Sequence, residues 1–428
     1  MSVRITFYGA AQTVTGSKYL LESARSKVLV DCGLFQGHKE LRLRNWAEPP
    51  FDVEELDAVV ITHAHVDHAG YLPLIVRRGY RGPVYCTAAT KELLKLLLPD
   101  TARLQEEEAR FANKRGSSKH RPALPLFGEA DAAQALKQLR PLTRSSAAIV
   151  APGVSVTTRC SGHILGSASL HFELDGRRVS FSGDVGRYAV PILPDPEGAP
   201  GADLLLCEAT YGGRRHSSAD IESELAGAVH AAYRRGGPLL IPAFAIGRTQ
   251  TLLYYLAKLE REERIPACPV FVDSPMAIDA TLIYRSFREE YDEEAAAILT
   301  AGNNVMMTSR TVFCRSVDES KKLNRLSGPR IIIAGSGMIT GGRILHHLMR
   351  WLGDEQTTLL FVGYQAAGTR GQLIQSGAKE IKIFGSFVPI RAAVETISGL
   401  SAHADEAELV RWLKSGSSPA RIKIVHGE

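Results

Sequence analysis

The sequence predicts an α/β protein: a strand-rich first part, a second block of strand–helix repeats, and a short return to the first scheme. Three observations carry this. Short β-branched runs bounded by glycine crowd the first part, as in "VRITFYG", "KVLVDCG" and "LDAVVITH". From Gly212 to Ala378 each strand-like run is followed by a helical one, which means βαβ units and a mostly parallel, Rossmann-like sheet. After that block, "VPIRAAVETISGLSAHADEAELVRWLK" and "RIKIVHGE" read again as strand, loop, helix and strand.

Taken in order, the early strands are joined by helices over about Thr90 to Arg110 and Glu129 to Leu139, segments rich in Ala, Leu, Glu and Lys. Between them Asn113 to Pro125, "NKRGSSKHRPALP", reads as an exposed basic loop. "RRVSFSGDVG" and "ADLLLCEATYG" are apolar strands that each end in an acid, Asp184 and Glu208. In the second block, "GGPLLIPAFAIGRTQTLLYYLAKLE" and "PRIIIAGSGMITGGRILHHLMRWL" are both strand, turn and helix.

A chain of 428 residues with 45% hydrophobic composition has ample material for a large core, and its length suggests two or three domains. No apolar run is long enough to span a bilayer, so no membrane association is expected. "MSVRITFYGA" has no basic segment followed by an apolar stretch and a cleavage site, so no secretion signal is read there. The six cysteines are scattered without a CxxC pair, which predicts reduced thiols and a cytoplasmic protein. A net charge of +5 and a pI near 8.8 mildly favour an anionic partner such as nucleic acid.

"THAHVDHAG", directly after the apolar run "LDAVVI", puts three histidines and an aspartate within six positions. His63 and His65 alternate on extended backbone and can point to one side, while Asp67 and His68 follow as the chain turns. Imidazole and carboxylate together suit zinc or a similar divalent ion. One cation would use about three of these groups; two adjacent cations could divide all four and would need a bridging acid. Further ligands are available in His163 of "SGHILGSAS", Asp184 of "SFSGDVG" and His426 of "IVHGE". Alone, His163 or His426 would read as a solvated loop histidine; beside the cluster they read as ligands.

"THAHVDHAG" resembles the signature motif of the metallo-β-lactamase superfamily, and "VDCG", "GHILGSA" and "SGDVG" resemble its neighbouring motifs, in the same order. The resemblance implies a four-layer αββα sandwich with a dinuclear site between the sheets. His63, His65 and His163 would bind the first metal, Asp67, His68 and His426 the second, and Asp184 would bridge them. Asp31 would orient ligands without touching metal. The second block resembles the β-CASP domain through "CEATYG", "LIPAFAIGRTQ", "DSPMA" and "AGSGM"; "SAHAD" and "VHGE" resemble later motifs of that branch. The implied domains are a first metallo-β-lactamase part at 1–211, the β-CASP domain at 212–378 and a returning part at 379–428.

The resemblance implies a ribonuclease with two Zn2+ per chain acting on single-stranded RNA through a two-metal hydroxide mechanism. Its action is expected to be endonucleolytic, with 5′-to-3′ exonucleolysis as a second mode. Mn2+ can replace zinc in such a mixed nitrogen and oxygen site. His403 is the expected general acid, with Glu208 behind it, and Asp67 is expected to serve catalysis as well as ligation. Arg248, Arg343 and the turn Gly335-Ser336-Gly337, read as preceding a helix, are expected to grip RNA phosphate. A homodimer is compatible with the resemblance. Two competing classes are a thioesterase or lactonase, which would not need the inserted domain, and a non-catalytic scaffold, which would lack ligands. His426 lies two residues from Glu428, so this ligand is expected to be poorly anchored and the second metal weakly held.

Overall fold

The computed structural model describes residues 3–428 except Ser117, Ser218 and Ala367. It divides into two compact units. The first comprises Met1–Ala189, Asp195–Arg215 and His403–Glu428; the second comprises Val190–Pro194 and His216–Ala402.

In the first unit, β1 (Arg4–Phe7), β2 (Tyr19–Glu22), β3 (Lys27–Val30), β4 (Ala58–Val60), β5 (Val84–Thr87) and β6 (Leu139–Leu142) form one sheet in chain order. The first three strands are antiparallel, and β3 to β6 run parallel. The second sheet contains β7 (Ala148–Ala151), β8 (Val154–Cys160), β9 (Ala168–Leu174), β10 (Arg177–Phe181) and β11 (Leu204–Glu208), with the strand Ile422–Val425 outside β11. That last strand pairs with β11 in parallel, placing Val425 beside Glu208.

Alternation explains why these strands stack as two layers. In β8, Val154, Val156, Thr158 and Cys160 are buried while the residues between them are partly exposed. Leu21, Val30 and Val60 of the first sheet share one core with Val156, Phe172 and Phe181 of the second. The helix Ala88–Arg115 packs along β5 and β6. The helix Glu406–Lys414 buries Leu409 and Trp412 beside Leu205 and Cys207 of β11. The layering is therefore αββα, as the motif order implies.

Two boundaries differ from the sequence reading. The helix Ala88–Arg115 takes in Asn113–Arg115, expected as loop, because a Glu-, Ala- and Lys-rich run stays helical until the first glycine. Gly116 ends it at φ 61°, and the Thr87 hydroxyl caps its start by accepting from the Thr90 N–H at 3.2 Å.

The second unit holds β12 (Pro238–Pro242), β13 (Val270–Val272), β14 (Thr311–Phe313), β15 (Arg330–Ala334), β16 (Thr358–Phe361), β17 (Glu380–Ile383), β18 (Ser386–Pro389) and β19 (Ala393–Thr396). Six of them form a wholly parallel sheet in the order β14-β13-β15-β12-β16-β19. Strands β17 and β18 form a separate hairpin. The block expected to end at Ala378 thus continues to Ala402, because β19 adds to its sheet through β16. All six cysteines are buried and free. Among the described residues no helix is long and apolar enough to cross a membrane.

Candidate metal centre

The centre lies within the first unit, at the ends of its strands. Strand β4 runs on into His63 and His65, and His65 is the extended residue that opens the short helix Val66–Ala69. This break turns Asp67 and His68 away from the line of His63 and His65. The turn is held by the segment after β3: the Cys32 N–H donates to the His68 carbonyl at 2.7 Å and Leu34 to that of Val66 at 3.0 Å. Gly33 is required there, since a Cβ would fall 1.6 Å from the Asp67 carbonyl oxygen.

Four side chains converge first. His65 Nδ1 lies 3.1 Å from both His63 Nε2 and His163 Nε2, and each of those two lies 3.4 Å from Asp184 Oδ2. A second group meets the other oxygen of the same carboxylate. His68 Nε2 is 3.2 Å from Asp184 Oδ1 and 3.2 Å from His426 Nε2, which is 3.4 Å from Asp67 Oδ2. Asp184 therefore stands between two donor sets.

Electrostatics match ligation. Burial lowers His63 to about 3 and His65 to about 4, and drives His163 well down, so these three imidazoles are neutral with lone pairs to offer. Burial opposes charge on His68 as well, but Asp184 and Asp31 outweigh it and raise its pKa well above the ordinary value. Burial would raise the carboxyls of Asp67 and Asp184. The His426 hydrogen bond at Asp67, and the charges of His68 and His426 at Asp184, hold both below the usual carboxylate range.

The donor set fits divalent cations on two counts. Asp184 Oδ1 is buried and accepts no hydrogen bond among the described residues. Two nitrogens on one tetrahedral zinc, each at about 2.0–2.1 Å, lie roughly 3.3 Å apart. The observed ring-nitrogen separations of 3.1–3.2 Å approach that value. The sets His63–His65–His163–Asp184 and Asp67–His68–His426 each place their donor atoms within 4.8 Å of one another.

Around these groups lies a frame of hydrogen bonds. Asp31, at φ 56°, accepts from the Thr62 N–H at 2.8 Å and from His68 Nδ1 at 2.8 Å. That bond fixes the His68 tautomer and turns Nε2 toward the cluster. His403 Nδ1 lies 3.3 Å from Glu208 Oε1 and 3.9 Å from Asp184 Oδ2. Burial would lower its pKa, but Glu208 and Asp184 raise it to about 9. Glu208 is itself held by the N–H groups of Val185 at 2.8 Å and Thr210 at 2.9 Å.

His426 is more firmly held than expected. Its N–H donates to the Ala10 carbonyl at 2.8 Å, its carbonyl accepts from the Ala209 N–H at 3.3 Å, and Nδ1 meets the Thr210 hydroxyl at 2.9 Å. Three residues of this frame were not expected from sequence. Thr62 bonds both Asp31 and His63 Nδ1, Ser17 donates its N–H to the Asp67 carbonyl, and Thr210 joins Glu208 to His426. Only Thr210 had a signal, its place inside "CEATYG".

The residues expected to grip phosphate belong to the second unit. Arg248 begins the helix Arg248–Arg261. Gly335, Ser336 and Gly337 follow β15, but the next helix starts only at Ile344, so they do not cap its N-terminus as expected. The Ser336 N–H instead bonds the Gly341 carbonyl at 3.3 Å, and its hydroxyl accepts from the Thr340 N–H at 2.9 Å. Arg343 is engaged internally. It donates to Asp273 Oδ1 at 2.7 Å and to the carbonyls of Cys314 at 2.9 Å and Arg315 at 2.7 Å. A phosphate at Arg343 would have to displace a buried carboxylate, which argues for a structural role in place of the expected one.

Comparison with known proteins follows these features along the chain. Residues 13–225 match the family model of the metallo-beta-lactamase superfamily and residues 249–374 that of the Beta-Casp domain. Residues 388–428 match the Zn-dependent metallo-hydrolase RNA specificity domain. The chain is 40% identical over 427 residues to ribonuclease TTHA0252 of Thermus thermophilus, covering 100% of this chain and 93% of that protein. It is 33% identical over 440 residues to transcription termination factor FttA of Methanocaldococcus jannaschii, covering 100% of this chain and 67% of that protein. A crystal structure of a protein of unknown function from Enterococcus faecalis V583 shares the fold, with a TM-score of 0.52 and 14% identity, over 100% of this chain and 94% of that one.

Proposed function

The chain belongs to the metallo-β-lactamase superfamily, in its β-CASP ribonuclease branch, and is a metal-dependent hydrolase; from that premise we propose a two-zinc ribonuclease acting on single-stranded RNA. It cuts phosphodiester bonds internally, with 5′-to-3′ exonucleolysis as a second mode. The observation that carries the reading is Asp184, whose two oxygens each face a separate set of imidazoles. Six buried free thiols favour a reducing, cytoplasmic setting.

Cations in this centre would supply a strong nucleophile from water at neutral pH and offset the charge of the phosphate. His63, His65 and His163 would hold one, Asp67, His68 and His426 the other, and Asp184 would serve both. Zinc is preferred because histidine nitrogens dominate the set, and manganese can substitute. His403 delivers the proton. As the P–O3′ bond breaks and a new P–O bond forms to the attacking oxygen, His403 protonates the leaving O3′, giving a 3′-hydroxyl and a 5′-phosphate. Glu208 keeps the imidazole oriented and charged before the step. Asp31 and Thr62 orient His68 and His63 and touch no substrate. Arg248 and the Gly335–Gly337 turn remain the proposed phosphate contacts.

The test follows 5′-labelled single-stranded RNA bearing a 5′-monophosphate on a sequencing gel, with and without a zinc chelator. A chelator-sensitive ladder of internal cuts is expected, with labelled mononucleotide if the exonuclease mode operates. Intact RNA alongside hydrolysis of a thioester or lactone would reassign the enzyme to another substrate class.

A further inference from the structure

The β17–β18 hairpin of the second unit carries an exposed aromatic platform that the hydrolytic site does not use. Its inner face is ordinary: Ile381, Ile383 and Val388 are buried in that unit's core. Its outer face and tip are not. Ile383 pairs with Ser386, so the turn is the dipeptide Phe384-Gly385, at φ 49° and 94°. Positive φ at both positions is the type I′ turn, which favours Asn-Gly. A bulky aromatic at its first position is strained. Burial does not compensate, since Phe384 is 56% exposed.

The ring has company instead. Phe384 lies against the exposed His346 ring, with centroids 4.8 Å apart and planes at 34°. Across the hairpin Phe387 is 65% exposed and pairs with Lys382, whose ammonium lies 5.7 Å from the ring centroid. Arg370 braces the hairpin from behind, donating from Nε to the Lys382 carbonyl at 2.8 Å. The surrounding charge has one sign. From Arg370 to Arg391 there are four basic residues, Arg370, Lys379, Lys382 and Arg391, against one acid, Glu380.

We propose that Phe384 and Phe387 form a base-stacking site for single-stranded RNA, a holding site separate from the residues that cut. Flat aromatic faces accept any base, and the interleaved cations attract the phosphates between bases. A protein partner would be better served by an aliphatic patch with mixed charge. The proposal rests on the ribonuclease reading for its substrate class.

The test measures binding of the metal-loaded protein to a fluorescein-labelled, cleavage-resistant phosphorothioate RNA by anisotropy. The variants are F384N, which removes the ring while installing the Asn-Gly turn, and F384N/F387S. F384N is expected to melt no lower than the parent and still bind RNA more weakly. The double variant is expected to lose about tenfold in affinity, the size typical of one stacked base. With cleavable RNA it should raise KM more than it lowers kcat. Unchanged affinity in the double variant, with metal content and melting temperature intact, overturns the proposal. So does a variant that changes only the sedimentation coefficient, which would make the face a protein contact. If the parent binds through these rings yet cuts no RNA, the ribonuclease reading fails and the stacking site stands.

Discussion

At the scale of single residues, two substitutions separate ligation from proton transfer. Asp31→Asn suits the backbone, because asparagine tolerates φ 56°, but it cannot accept from both the Thr62 N–H and His68 Nδ1 as a carboxylate does. It should weaken metal affinity about ten- to a hundredfold, measured by chelator competition, with most of the loss in the second equivalent. His403→Ala should keep its metals and lose on the order of 10²–10⁴ in kcat on RNA. The same variant should lose far less on a p-nitrophenyl phosphodiester, whose leaving group needs no proton; an equal loss on both substrates would make His403 something other than the acid. His63, His65, Asp67 and His68 were legible because four metal-binding side chains in six positions rarely occur by chance. Ser17, Thr62 and Thr210 were not, because a lone serine or threonine has the same composition signal at a turn, a cap or a site. Their roles arise from contacts across 51 and 216 positions of chain, as Ser17 with His68 and Thr210 with His426 show.

At the scale of elements, strand identity was legible and register was not. The runs around Val30, Val60 and Phe181 announced β3, β4 and β10, yet nothing local places Val425 beside Glu208. The "GSG" turn misled for a similar reason. Glycines after a strand suggested a helix cap, but the loop closes on itself through Ser336 and postpones the helix to Ile344. Arg343, legible only as a cation near glycines, belongs to a buried network. Asp273 accepts from Arg343 at 2.7 Å, His347 at 2.7 Å and Ser320 at 2.6 Å. Burial would raise its carboxyl, and these three bonds hold it below the usual range. A depressed folded pKa stabilises above the unfolded value, about 3.9, and that stability is lost as pH falls through the folded pKa. Asp273→Asn should therefore cost roughly 3–5 kcal/mol at neutral pH. It should also flatten the loss of stability below about pH 4, measured by urea unfolding across pH. An Arg343→Met variant that is as stable as the parent but binds RNA poorly would restore this arginine to the RNA-binding residues.

At the scale of the whole molecule, the chemistry is built in one unit from distant parts of the chain. Asp31, the His63–His68 cluster, His163, Asp184 and Glu208 come from its first half, and His403 and His426 return after the second unit. The order of motifs made that return legible; the junction at Ala402 was not, because β19 looks like any other short strand until its partner β16 is known. The central claim is that two metals and one Asp184 carboxylate make this chain a ribonuclease. It is tested most directly by titrating metal-free protein with zinc and following, in the same samples, bound zinc per chain and cleavage of labelled single-stranded RNA. The expected result is binding that saturates near two zinc ions, cleavage that rises with the second, and products ending in 5′-phosphate and 3′-hydroxyl. Asp184→Asn should remove both the second equivalent and the cleavage. Saturation at two zinc ions with the RNA left intact would contradict the account.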